Sequence, residues 1–335
     1  MRNVILGIFI GIALTIGTVY TKRGAIRYVS EHKIISPIGT ILEKPLTKYT
    51  ILNLSGRKYN GSQIVLEGPS ATASAYTVYP FYFTSDTKKV TGLVHIPNGK
   101  GPFSVVLQLR GFIEPKNYAP GAGTSHSAEV YAENGFISLA PDFLGFGGSD
   151  MPSTDIFEER FETYTTALNL LASIHTLPMA DATKVGIWGH SNGGQIALTV
   201  LEVIGRKIPT TLWAPVSKPF PYSILYYTDE ADDHGKLLRK ELAKFEENYD
   251  AELYSLTNYF DRITGPIQIH QGISDDAVPL SWSDTLIKSL KDTKTKESAT
   301  EELNYFTYPG TDHDMNGAWN TVVARDVAFF TKYLK

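Results

Sequence analysis

Apolar residues follow two alternating rhythms along most of this chain. From Tyr76 onward, short β-branched, aromatic and aliphatic runs recur at 76–84, 90–96, 103–109, 136–140, 184–188, 210–214, 266–271 and 303–308, and each reads as a strand. Between the later runs lie longer stretches whose apolar residues are three and four apart. One spans 156–177 and carries Phe157, Phe161, Tyr164, Leu168 and Leu171; others cover 192–204, about 233–249, 280–291 and 316–334. This alternation predicts an α/β fold, with a mostly parallel central sheet and helices on both faces. The runs 76–84 and 90–96 look like a hairpin, giving an antiparallel amino-terminal edge, and Pro80 predicts an edge position for the first. Upstream, 49–54 and 62–67 read as short strands around a turn-rich segment, so 24–75 is expected to be a linker with a short β appendage. A cap insertion is expected at about 217–262. It holds Phe220, Tyr222, Tyr226 and Tyr227, the acidic stretch 229–233 and a charged helix, and it reads as a small cap or as a peripheral helical excursion.

The amino terminus has its own pattern. After Arg2, residues 3–21 are uncharged and mostly Ile, Leu, Val, Gly and Ala, and Lys22, Arg23 and Arg27 follow. The run approaches the ~20 residues that span a bilayer as a helix. No clear small-x-small cleavage site follows it, so 1–23 is expected to be a membrane anchor, with a cleaved signal segment and a secreted product as the alternative. The positive charges are heavier on the carboxyl side of the run, which favours a cytoplasmic body. Large domains are translocated despite such a bias, and the external face is the expectation adopted.

Composition narrows the chemistry. With 42% apolar and 20% charged residues, 335 residues can bury a core large enough to hold a strained turn. The net charge of −4 and the absence of a basic cluster argue against a nucleic-acid partner; the lysines of 288–296 are interleaved with or flanked by acids. The chain has no cysteine, which removes disulfides, thiolate metal sites and cysteine nucleophiles together.

Lys184 to Gly194 is the most informative stretch. It contains Gly-x-Ser-x-Gly over 189–193, with an apolar strand ending at Trp188 and a helix beginning just after. Such a turn holds Ser191 in a strained backbone conformation at the carboxyl edge of the sheet, and Gly189 and Gly193 omit the side chains that would collide there. A plain helix cap at Ser191 would not need glycine on both sides. A serine hydroxyl requires a base. Downstream, the strand 266–270 runs into a loop with Asp275 and Asp276, and the strand 303–308 runs into Asp312-His313-Asp314. The expected order is therefore Ser191, then Asp275 as orienting acid with Asp276 as its rival, then His313 as base. His190 is expected to pack beside the nucleophile and His270 to be a core histidine. Asp312 and Asp314 find no second ligand cluster, so no metal is expected, and no cofactor is needed. The oxyanion donors are expected to be the N–H groups of Asn192 and Phe112. Arg110 reads either as a ligand for a substrate carboxylate or as half of a structural ion pair.

Placed in this way, Val185–Gly194, the Gly272-x-x-Asp275-x-x-Val278-Pro279 segment, Asp312-His313 and the loop 141–150 resemble the catalytic domain of the prolyl oligopeptidase family. Dienelactone-hydrolase-like and acetyl-esterase-like relatives within the α/β-hydrolase fold are similar. The resemblance covers about 76–335. It implies a serine peptidase working through an acyl-enzyme on a small peptide, with a carboxylesterase or acetyl esterase as the alternative. It also implies nucleophile Ser191, acid Asp275, base His313 and donors at Asn192 and Phe112. The oxyanion loop departs from the family pattern, with Arg110-Gly111-Phe112 where His-Gly or Tyr-Gly is usual. About 50 residues between the apolar run and the hydrolase region are too few for the β-propeller of the family's peptidases. A catalytically inactive, membrane-tethered binding module is the alternative of a different class; the complete set Ser191, Asp275 and His313 argues against it.

Overall fold

A computed structural model describes residues 44–228, 231–292 and 302–335. The expected anchor, residues 24–43 of the expected linker, Asp229, Glu230 and the lysine-bearing stretch after Asp292 lie outside the described residues. Pro45–Lys335 forms one compact unit around a ten-stranded sheet. Its strands are β1 (Val65–Leu66), β2 (Ala71–Thr72), β3 (Tyr76–Ser85), β4 (Lys88–Pro97), β5 (Phe103–Leu109), β6 (Ile137–Pro141), β7 (Ala180–His190), β8 (Thr210–Trp213), β9 (Ile267–Gly272) and β10 (Leu303–Tyr308). The order is β1-β3-β4-β6-β5-β7-β8-β9-β10, with β2 also on β3. From β6 to β10 all pairings are parallel, and β4 pairs β6 antiparallel, as do the pairs before it.

Side-chain alternation along β5 shows why the sheet is covered on both faces. Val105, Leu107 and Leu109 join one apolar core with Phe161, Leu168 and Leu198, whereas Val106 joins another with Trp188, Trp213 and Phe330. Each such side chain, removed from water, contributes about 1.5–3 kcal/mol before entropy is counted. The helix Asn192–Ile204 is buried along most of its length and stops at Gly205, whose φ of 60° makes the left-handed turn that ends it.

Two expectations fail near the amino terminus. Residues 49–54 are not a strand: Ile51–Gly56 is a helix, with Thr50 Oγ1 accepting from the Asn53 N–H at 3.3 Å. Ile51 and Leu54, three apart, bury the same face. β3 is not an edge strand, since β1 and β2 both pair with its outer side. β2 pairs at Thr77 and Val78 and β1 at Phe81 and Tyr82, so Pro80, which has no N–H, falls in the gap between them. The sheet therefore begins at Val65, inside the segment expected to be an appendage.

The described residues of the inserted segment include the helices Tyr222–Leu225 and Lys236–Asn248 and the 3₁₀ turns Ala251–Tyr254, Leu256–Asn258 and Phe260–Arg262. Its Phe220, Phe245 and Tyr254 pack with Phe157 and Phe161 of the helix Ile156–Ser173. Tyr222, Tyr226 and Tyr227 gather around Trp282.

His95 on β4 is buried beside Tyr76. Burial lowers its pKa to about 4, whereas an unfolded histidine titrates near ~6.5. Between these values the unfolded chain binds the extra proton, so stability is full above pH ~6.5 and falls as pH drops toward 4. At pH 5 the loss from this group is expected to be about 2 kcal/mol. Urea unfolding of wild type beside His95→Phe should show a difference that changes by that amount from pH 7 to 5. A pH-independent difference would show that the charged ring is accommodated.

Candidate active site

β7 ends at His190 and the next helix begins at Asn192, which leaves Ser191 alone to reverse the chain. Its φ of 56° and ψ of −120° lie where a non-glycine residue costs about 1–3 kcal/mol. Four hydrogen bonds hold it there. Its N–H donates to Trp213 O at 2.9 Å, and its carbonyl accepts from Gly194 N, Val216 N and Gln195 N at 2.9, 3.0 and 3.3 Å. A Cβ at Gly193 would stand 1.8 Å from Leu109 O, and one at Gly189 2.7 Å from Gly193 O, so neither position admits a side chain. The serine side chain makes no capping bond, and among the described residues Oγ has no hydrogen-bond partner.

Asp275 and His313 meet at the carboxyl ends of β9 and β10. His313 Nδ1 lies 2.9 and 3.0 Å from the two Asp275 oxygens, which leaves Nε2 as the ring nitrogen for proton transfer. The loops that carry them are tied together: Ile273 N donates to Tyr308 O and Ser274 N to Thr311 O, each at 3.0 Å. Asp275 Oδ1 accepts from Val278 N at 2.8 Å and Ala277 N at 3.0 Å, and Oδ2 accepts from Gln271 Nε2 at 2.9 Å. Burial alone would raise its pKa, but the bond from His313 and those from the Val278 and Ala277 N–H groups outweigh it, and the net shift is downward. Asp276 is exposed and has no hydrogen-bond partner among the described residues.

The structure also brings in Gln271, which the sequence does not single out, and defines the surroundings of His190, His270 and Asp312. Gln271, at the end of β9, is held by the Ser283 hydroxyl, which donates to its Oε1 at 2.7 Å. As one of three polar residues on β9, it carries no distinguishing signal in the sequence. His190 Nε2 donates to the His313 carbonyl at 3.0 Å, and the two rings lie 4.7 Å apart. The low-dielectric surroundings of the His190 ring, and then the charge of His313, lower its pKa to about 4, so it is neutral at pH 7. His270 is a core residue: Nδ1 lies 2.7 Å from Tyr308 Oη and Nε2 lies 3.0 Å from the buried Asp326. Asp312 turns its carboxylate onto its own loop, accepting from the N–H groups of Asp314 and Asn316.

Asn192 and Phe112 line a cavity of about 360 Å³, with Phe143, Phe146, Ile156 and Tyr164 also among its walls. Among the described residues, neither the Asn192 N–H nor the Phe112 N–H donates to a protein acceptor. Phe112 has its side chain exposed, and Gly111 lies against the serine turn, where an added Cβ would be 3.1 Å from Ser191 Cβ. No described residue of 217–262 lines this cavity. A hydroxyl on a strained turn, an imidazole oriented by a buried carboxylate and two N–H groups without acceptors are the parts that acyl transfer requires.

The model of the prolyl oligopeptidase family matches residues 122–335. A Schizosaccharomyces pombe protein described as a dipeptidyl aminopeptidase is 26% identical over 190 residues, 56% of this chain and 20% of that one, so the chain spans about a fifth of that relative's length. Among solved structures, acetyl xylan esterase 1 from Thermoanaerobacterium sp. superposes with a TM-score of 0.62 at 16% identity, covering 85% of this chain and 94% of that one. A Mycobacterium tuberculosis puromycin-hydrolyzing peptidase superposes with a TM-score of 0.57 at 20% identity, over 79% and 41%. At these identities the superpositions establish the α/β-hydrolase fold.

Proposed function

As this chain belongs to the prolyl oligopeptidase family, we propose that it is a serine hydrolase that works through an acyl-enzyme on Ser191. The observation that carries this reading is the strained Ser191 turn in a chain that also pairs His313 with buried Asp275. His313 Nε2 removes the Ser191 proton as Oγ attacks the carbonyl carbon. The carbonyl oxygen gains charge facing the Asn192 and Phe112 N–H groups. The tetrahedral adduct collapses, and the leaving group departs with the proton from His313. Water then gives a proton to His313 and its oxygen to the acyl carbon, which releases the acid and restores Ser191. Asp275 keeps the proton on Nδ1 and stabilises the imidazolium formed twice per cycle.

Family membership and the dipeptidyl aminopeptidase description of the yeast relative support a short peptide as substrate. A short acyl ester is the second reading. It is favoured by a cavity near the small end of the ~300–1,000 Å³ usual for ligand sites and by its largely apolar walls. A fluorophosphonate probe should label wild type and not Ser191→Ala, and amide and ester panels then separate the two readings. A folded wild type that resists the probe and turns over neither panel would leave a binding module.

We also propose that residues 3–21 tether the hydrolase to a membrane, which their uncharged, apolar composition supports, and that its body lies on the external face. Among the described residues no helix is long and apolar enough to cross a membrane, so the tether rests on that amino-terminal run alone. Deleting 1–23 should move the protein from the membrane pellet to the soluble fraction with kcat unchanged. A full-length protein found wholly in the soluble fraction would remove the proposal.

A further inference from the structure

The buried guanidinium of Arg110 does not form the structural ion pair that is one of the two readings of its position. It is 5% exposed and lines the cavity beside Phe112, and among the described residues no carboxylate lies within ion-pair distance of it. It is instead enclosed by Phe146, Tyr118 and Phe143, whose ring centroids lie 4.2, 4.6 and 5.5 Å from Cζ. Two of its nitrogens act on the backbone. Nη1 donates to Gly111 O and Nη2 to Asp142 O, both at 2.9 Å, while Nε has no protein partner.

The bond to Gly111 O has a consequence one atom further along. The Gly111–Phe112 peptide is trans, and in a planar trans peptide the C=O and N–H point in opposite directions. Holding the Gly111 carbonyl toward the guanidinium therefore sets the direction of the Phe112 N–H on the other side of the plane. The second bond, to Asp142 O, anchors the guanidinium to the residue that follows β6. The free rotation that a glycine would otherwise allow is removed at the point where the loop touches the Ser191 turn.

We propose that Arg110 is a positioning residue: its fork clamps the Gly111 carbonyl to the β6 exit and so aims the Phe112 N–H at the developing oxyanion. The inference rests on the acyl-transfer reading. An aimed donor acts on the transition state more than on the bound substrate, so losing the clamp lowers kcat and leaves KM nearly unchanged.

The test compares wild type with Arg110→Met, which keeps the stem among the aromatic rings, and Arg110→Lys, which keeps the charge but not the fork. Both are expected to lose on the order of 10²-fold in kcat, with KM within about threefold. Affinity for an arylboronic acid, a tetrahedral mimic of the adduct, should fall in parallel with kcat/KM, while affinity for a planar product carboxylate stays level. Thermal melts establish that the variants are folded, and if Arg110→Met is not, Arg110→Lys carries the same comparison. Full activity in Arg110→Lys would assign the effect to charge and overturn the clamp. Equal losses for boronate and carboxylate would make Arg110 merely structural. A wild type that neither labels nor turns over substrate overturns the acyl-transfer reading itself, and the clamp with it.

Discussion

Ser191→Ala is expected to lower kcat on the order of 10⁵- to 10⁶-fold while unfolding free energy changes by less than about 0.5 kcal/mol. The two halves of this expectation have separate causes. In the proposed mechanism the hydroxyl forms the acyl bond, and no neighbouring group replaces it; the water route that remains keeps only the help of the N–H donors. The stability half follows because Oγ holds nothing together: it has no hydrogen-bond partner among the described residues, and the turn is fixed by the Ser191 backbone N–H and C=O. Alanine at φ 56° carries the same backbone strain as serine. Steady-state kinetics with an activated ester and urea unfolding on the same preparation measure both. Residual turnover above about 1% of wild type, insensitive to fluorophosphonate, would show that another residue is the nucleophile.

Asp275→Asn is expected to cost about 10⁴-fold in kcat, and Asp276→Asn less than about twofold. Asp275 receives four donors: Ala277 and Val278 N–H on Oδ1, and Gln271 Nε2 and His313 Nδ1 around Oδ2. An asparagine has one oxygen and one NH₂ for these sites. With its oxygen facing the two backbone N–H groups, its NH₂ meets Gln271 and His313. The imidazole then satisfies it by accepting at Nδ1, and the proton moves to Nε2, where a base is needed. The Gln271 amide is left facing another donor, which costs about 1–3 kcal/mol of stability. Asp276 is exposed and outside this arrangement. Fully active Asp275→Asn with inactive Asp276→Asn would reverse the assignment of the acid.

Much of the fold could be read from the order of residues. The strand 103–109, the helix 192–204 and the strand 303–308 agree with the structure to the residue. They are bounded by glycine, proline or strained turns, and β5 is an unbroken run buried on both faces. The segment 49–54 is ambiguous in sequence because Ile51 and Leu54 suit a helix while the neighbouring apolar residues also suit a strand; the Thr50 cap and the side against which the segment packs decide between them. The helix Ser125–Glu133 was passed over, since its inner face is mostly Ser127, Ala128 and Ala132, with Tyr131 its only large apolar residue.

The candidate site divides in the same way. The chain itself determines the residue types, their order and their places at strand ends: a serine between obligatory glycines, then an acid, then a histidine. These depend on short-range sterics and on strand–turn–helix spacing, both written locally. Only the tertiary structure decides which neighbouring aspartate is buried against His313, that Gln271 and His190 brace the pair, and that Arg110 binds carbonyls and no carboxylate. Each of these depends on which way a loop turns its side chains and on a partner that folding brings from elsewhere, such as Asp142 O for Arg110 or the His313 carbonyl for His190. No local pattern encodes such a partner, because a backbone carbonyl is present at every residue and only its direction in space selects it.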